Sequence, residues 1–172
     1  MCDITGSFIF YSPLEIVSGD FYWFNQIGDH LIVCCADCTG HGIPGAFMSM
    51  IASTIISDIC EQFGENIRPS ELLERLDHML VEELGRNQSE EGAAKDGCDI
   101  SVASINVKTK SVLISSARRP VIVFKNQDIV EIPGTKRSIG DREPKLVERK
   151  FVDTELQLHT GDTIYMFSDG YS

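Results

Sequence analysis

Three aspartates occupy glycine-bearing turns beside apolar or aromatic runs: Ser18-Gly19-Asp20-Phe21-Tyr22-Trp23, Ala36-Asp37-Cys38-Thr39-Gly40-His41-Gly42 and Phe167-Ser168-Asp169-Gly170-Tyr171. Hard divalent ions such as Mg²⁺ and Mn²⁺ take oxygen ligands in near-octahedral geometry. A glycine beside them lets a backbone carbonyl or a phosphate approach with no Cβ in the way. If the three turns converge, the chain is a metal-dependent hydrolase. Taken singly, each aspartate also fits a plain turn role, as Asp29 and Asp162 do in their Gly-Asp pairs; only the conjunction points to metal.

The elements needed to bring these turns together are legible in the pattern. Gly28-Asp29 is a two-residue hairpin signal between the aromatic-rich segment 20–27 and the apolar strand 31–36. Antiparallel pairing then places Asp20, at the start of one strand, and Asp37, at the end of its partner, on one edge of the sheet. After Gly42 the period becomes helical, with Pro44 in the first turn and Phe47, Met50, Ile51, Ile55 and Ile59 as the apolar stripe, read as core. The N-terminus of that helix follows Asp37 closely, and its unpaired N–H groups favour an anion there. A second amphipathic helix is predicted over 70–84, with Leu72, Leu73, Leu76, Leu80 and Leu84 on one face, Pro69 and Ser70 at its start and Gly85 at its end. The polar loop 86–99 is read as the most mobile segment and one that could shape access for a substrate. Further strands are predicted at 100–107, 111–116, 121–124, 129–132, 145–152 and 163–167. No repeat or linker divides the chain, so residues 1–172 read as a single domain of α+β class: two packed antiparallel sheets with helices on an outer face.

Composition narrows the function classes. A formal net charge of -11 and a pI near 4.7 disfavour a nucleic-acid partner, because backbone binding rests on clustered Lys and Arg. The apolar stretch 47–59 is broken by Ser49, Ser53, Thr54, Ser57 and Asp58 and falls short of the ~20 residues of a membrane span. No membrane segment, no signal peptide and a cytoplasmic location are therefore expected. Of six cysteines, Cys34 and Cys35 are adjacent in a strand and read as reduced. Cys35, Cys38 and His41 have a spacing that a zinc or redox site could use, but without the second close pair of a structural zinc site the reading of buried thiols outweighs it.

In this order and with these neighbours, the three motifs resemble those of the protein phosphatase 2C superfamily of metal-dependent serine/threonine phosphatases. The resemblance is to its bacterial branch, named after stage II sporulation protein E (SpoIIE) and RsbU. Residues 16–23 look like that branch's first motif, 36–48 like its second and 167–171 like its third, while Asp96-Gly97-Cys98-Asp99-Ile100 extends the likeness. The resemblance implies an α-β-β-α four-layer sandwich with two metal ions, Mn²⁺ or Mg²⁺, at one edge of the paired sheets. It implies that Asp37 bridges the ions, that the Cys38 carbonyl and Asp20 hold one of them and that Asp169 holds the other. The implied nucleophile is a hydroxide bridging the ions, attacking phosphoserine or phosphothreonine in line with no phospho-enzyme. His41 could donate a proton to the leaving oxygen or could only order its turn; relatives often have lysine there. Asp99 could hold a further, weaker ion or act as a cap.

The chain departs from the family pattern in two places. Arg118-Arg119 stands where a small residue and an asparagine are expected, and it reads as solvated charge. The pattern continues past the third motif with a helix and a last strand bearing another ligand aspartate, whereas the chain stops at Ser172. A truncated domain with weak metal affinity is therefore expected, joined in its full-length protein to a sensor region. The resemblance implies a phosphoprotein substrate in sigma-factor regulation, of the anti-anti-sigma (STAS) type; a homodimer through exposed helices is compatible with it. The rival expectation is a catalytically incomplete binding or regulatory module of the same fold.

Overall fold

The computed structural model describes residues 6–13, 16–86, 97–126, 128–142 and 148–171. Strands β1 (Asp20–Ile27) and β2 (His30–Cys38) form the expected hairpin, followed by helices α1 (Gly42–Phe63) and α2 (Pro69–Arg86). Then come β3 (Cys98–Asn106), β4 (Ser111–Ala117), β5 (Val121–Lys125), β6 (Asp128–Ile132), β7 (Thr154–Gln157) and β8 (Thr163–Tyr165). They make two antiparallel sheets, a five-stranded one in the order β1-β2-β3-β4-β7 and a three-stranded one in the order β6-β5-β8.

Side-chain alternation along the strands decides which layer each face meets. From β2 and β3, Ile32, Cys34, Ala36, Cys38, Ile100 and Val102 are buried against the helices, whereas Ala103 with Val112 and Ile114 of β4 packs on Val121, Val123 and Ile132 of the smaller sheet. Helices, large sheet and small sheet are thus three stacked layers of the α-β-β-α arrangement. Among the described residues no helix covers the outer face of the small sheet. Most of the loop predicted over 86–99, residues 87–96, lies outside them.

Three details differ from the sequence pattern. The buried stripe of α1 is Met48, Ala52, Ile55, Ile56 and Ile59, while Phe47 and Met50 are 61% and 64% exposed. Gly45 rests on the backbone of Gly40 and Gly19, and the helix face continuing from it through Met48 and Ala52 is the one turned to the core, which leaves Phe47 and Met50 outward. Secondly, the run Gly42–Asn66 is long and apolar enough to cross a membrane by length and composition alone, contrary to the count over 47–59. From this helix Met48, Ala52, Ile55, Ile56, Ile59 and Cys60 are part of the main core. Thirdly, the strand predicted over 145–152 is not formed in its described part, 148–152; β7 begins at Thr154. The backbone groups that a ladder would need are used elsewhere: the Phe151 N–H donates to Glu74 Oε1 of α2 (3.1 Å), and the Arg149 carbonyl accepts from Arg137 (2.9 Å).

Candidate metal centre

The hairpin register settles the placement of the first two aspartates. Asp20 lies directly opposite Asp37, and Asp37 lies directly opposite Asp99 of β3, so three adjacent strands each present an aspartate at one edge of the large sheet. The turns that lead into this edge touch through backbone. A Cβ on Gly19 would come within 2.4 Å of the Cys38 carbonyl oxygen, and one on Gly45 within 2.4 Å of the Gly40 oxygen. Only glycines allow the turn before β1, the turn after β2 and the first turn of α1 to pack so tightly. The Cys38 N–H donates to the Gly19 carbonyl (3.2 Å), and Ser18 Oγ accepts from the Asp20 N–H (3.1 Å). Thr39 clamps the next strand: its N–H and its hydroxyl both donate to the Gly97 carbonyl, at 2.8 and 3.1 Å.

Asp169 comes from the far end of the chain, at the start of a short 3-10 turn (Asp169–Tyr171) after β8. The neighbouring Ser168 hydroxyl donates to Asp20 Oδ2 at 3.1 Å, which ties this turn to β1. The three aspartates singled out from the motifs are therefore brought to one edge, with Asp99 as a fourth. His41 is exposed at the N-cap of α1 in extended conformation, without a side-chain capping hydrogen bond.

A residue read as solvated charge turns out to hold this edge together. The Arg119 guanidinium, on the loop between β4 and β5, pairs through Nη2 with Asp37 Oδ2 and lies 3.3 Å from Asp169 Oδ2; its Nε is 3.8 Å from Asp99 Oδ2. Its side chain is 18% exposed, against 46% for Arg118. The loop is pinned by a hydrogen bond from the Arg118 N–H to the Thr135 carbonyl (2.8 Å) and by one from the Thr135 N–H to the Ser116 carbonyl (2.9 Å). Nothing in the sequence separates Arg119 from Arg118, since Pro120 restricts the backbone of Arg119 without deciding which way its side chain turns. Around the rim, Ser138 Oγ donates to Asp99 Oδ1 (2.5 Å), and Arg118 lies 3.7 Å from Asp141. An open cavity of about 500 Å³ is lined there by Asp99, Arg118, Lys136 and Arg149.

Electrostatics at the edge are unbalanced. Burial pushes the Asp37 carboxyl up to about 6; Arg119 opposes this, while Asp20, Asp169 and Asp99 add to it. Burial also works against the charge on Arg119, but Asp37, Asp169 and Asp99 outweigh it and raise its pKa. One guanidinium thus leaves several carboxylates uncompensated. Among the described residues, no three acidic, histidine or cysteine side chains are arranged as a ligand set, and a guanidinium stands among the carboxylates instead. The carboxylate oxygens that surround Arg119 are nonetheless the donor type that a hard divalent ion takes. The thiols of the zinc reading are not brought together: Cys38 is buried in the helix-side core, while Cys35, an odd number of positions away along β2, belongs to the opposite face.

Comparison with known proteins places the fold. The family description Stage II sporulation protein E (SpoIIE) matches residues 27–172. Among solved structures, the SiaA-PP2C domain of Pseudomonas aeruginosa is similar at 26% identity and a TM-score of 0.77, covering 95% of this chain and 61% of that one. The structure of the PP2C phosphatase domain and a fragment of the regulatory domain of SpoIIE from Bacillus subtilis is similar at 19% identity and a TM-score of 0.71, covering 91% of this chain and 42% of that one. RsbX in complex with magnesium is similar at 14% identity and a TM-score of 0.69, covering 92% and 70%. The chain thus spans about three fifths of the first of these and about two fifths of the second. Among curated protein sequences there is no match. The aspartate-bearing sheet edge, the two-sheet architecture and a match over residues 27–172 lead to one conclusion: the chain belongs to the SpoIIE family.

Proposed function

We propose that this chain is a divalent-cation-dependent protein serine/threonine phosphatase domain of bacterial signalling, working in the cytoplasm. The observation that carries the reading is the gathering of Asp37, Asp99 and Asp169 around the part-buried Arg119 guanidinium at the sheet edge, with Asp20 directly opposite Asp37 and tied to the Asp169 turn through Ser168. Asp37, the Cys38 carbonyl, Asp20 and Asp169 would hold Mn²⁺ or Mg²⁺. Ions there would supply Lewis acidity that makes water a nucleophile near neutral pH and neutralises charge on the attacked phosphoryl group. The chain's own contribution is placement. The glycine-packed turns fix Asp20 and Asp37 on paired strands, Ser168 ties the Asp169 turn to Asp20, and Arg118, Lys136 and Arg149 give the rim a cationic side for an anionic phosphoprotein. The family resemblance points to a STAS-type phosphoprotein as substrate.

Phosphate release from a phosphoserine STAS protein is expected to need Mn²⁺ and to disappear in Asp37→Asn; release that persists in EDTA overturns the reading. His41 is the candidate proton donor. In His41→Gln, kcat should fall with Mn²⁺ affinity unchanged, whereas retained kcat would leave His41 a turn residue. The occupation of the cluster by Arg119 favours a second reading, a non-catalytic module of the same fold, which predicts no Mn²⁺ binding with or without Arg119.

A further inference from the structure

We propose that Arg119 is an internal counter-ion that competes with the divalent cation for the same carboxylates, so that metal enters this site by displacing a guanidinium. The inference rests on the phosphatase reading above and adds a residue that controls metal loading.

The geometry is specific to a competitor. A guanidinium binds carboxylates through the same oxygen lone pairs that a metal needs, and Arg119 engages Asp37 and Asp169 and lies within 3.8 Å of Asp99. Two cations on the same Oδ2 atoms repel one another, so each weakens the hold of the other. Arg119 does not use its whole fork here: its Nε is buried with no hydrogen-bond partner. Its anchor, by contrast, is firm, because the loop is hydrogen-bonded on both sides of Arg118 and Gly134 packs against the Arg118 backbone. Displacement is therefore a rotation of the side chain about a fixed point at the rim, which leaves the guanidinium beside the site. There its planar fork can pair with two phosphoryl oxygens, a geometry that lysine does not offer. The neighbouring Arg118 does not share this role, since its nearest carboxylate contacts are 3.7 and 4.0 Å and it is largely solvated.

A structural ion pair and a competitor make opposite predictions for metal. If the closed arrangement keeps only about a tenth of molecules open to metal, removing the competitor raises apparent affinity about tenfold. Titration calorimetry with MnCl₂ on the wild type, Arg119→Gln and Arg119→Lys is expected to show Mn²⁺ bound about tenfold more tightly by Arg119→Gln, with Arg119→Lys between the two. Metal-free Arg119→Gln should melt below the wild type, and Mn²⁺ should restore more of its melting temperature. Unchanged or weaker Mn²⁺ binding by both variants, with native circular dichroism, overturns the competition while leaving the phosphatase reading intact. Failure of that reading looks different: Mn²⁺ binding would survive Asp37→Asn. If no form binds Mn²⁺, both fall.

Discussion

Arg119 and the aspartates around it set the chemistry of the sheet edge, and their charges do not cancel. The Asp37 carboxyl sits at about 6, above its usual 3.8, because it is part-buried and faces Asp20, Asp169 and Asp99, with Arg119 as the opposing charge. A carboxyl raised in the folded state binds more protons folded than unfolded between those two values. Its contribution therefore lowers the stability of the metal-free protein as pH rises from about 4 to about 6, and the penalty stays constant above that window. Thermal melts in EDTA test this: the wild type should lose stability relative to Asp37→Asn across the window, and a difference that does not change with pH would refute the assignment. The motif aspartates were legible at this scale because their turns carry glycines. Arg119 was not, since a doublet of arginines looks like solvated charge until the chain folds and shows that only one of the two reaches inward.

The elements hold the cluster through two devices, one of backbone and one of charge. Gly45 lets the first turn of α1 rest on the Gly40 carbonyl, where a Cβ would intrude to 2.4 Å. Gly45→Ala is expected to cost about 1–3 kcal/mol in urea unfolding and to weaken Mn²⁺ binding by shifting the Asp37 turn, whereas unchanged values for both would show that the contact has slack. On the other side, buried Arg137 pairs with Asp77 and Glu74 of α2, and Asp77 also accepts from the Gly140 N–H (2.6 Å). Asp77→Ala leaves buried Arg137 with Glu74 as its remaining carboxylate and should destabilise by about 3 kcal/mol, measured in the same way. The hairpin and both helices follow from period and turn residues, and all of these were readable in advance. The described part of the strand predicted over 145–152 was not: within 148–152, Glu74 and Arg137, distant in sequence, take the hydrogen bonds of Phe151 and Arg149. The outward turn of Phe47 and Met50 was hidden for a similar reason, because a stripe rotated by one position depends on which neighbour comes closest.

Across the whole molecule, one face of the large sheet is committed to helices and the other to the small sheet, so the chemistry falls at an edge where strand ends and loops meet. That division lets Asp169 reach the aspartates of the first hairpin across most of the chain length, since β8 belongs to the small sheet and its following turn crosses to the edge of the large one. The central claim, that this edge is a site for divalent cations, is tested most directly by anomalous diffraction at the manganese edge from crystals soaked in MnCl₂. The account predicts a manganese peak bounded by Asp20, Asp37 and Asp169, with the Arg119 guanidinium turned away. Soaked crystals in which those carboxylates remain closed on Arg119, with no anomalous peak among them, would contradict it.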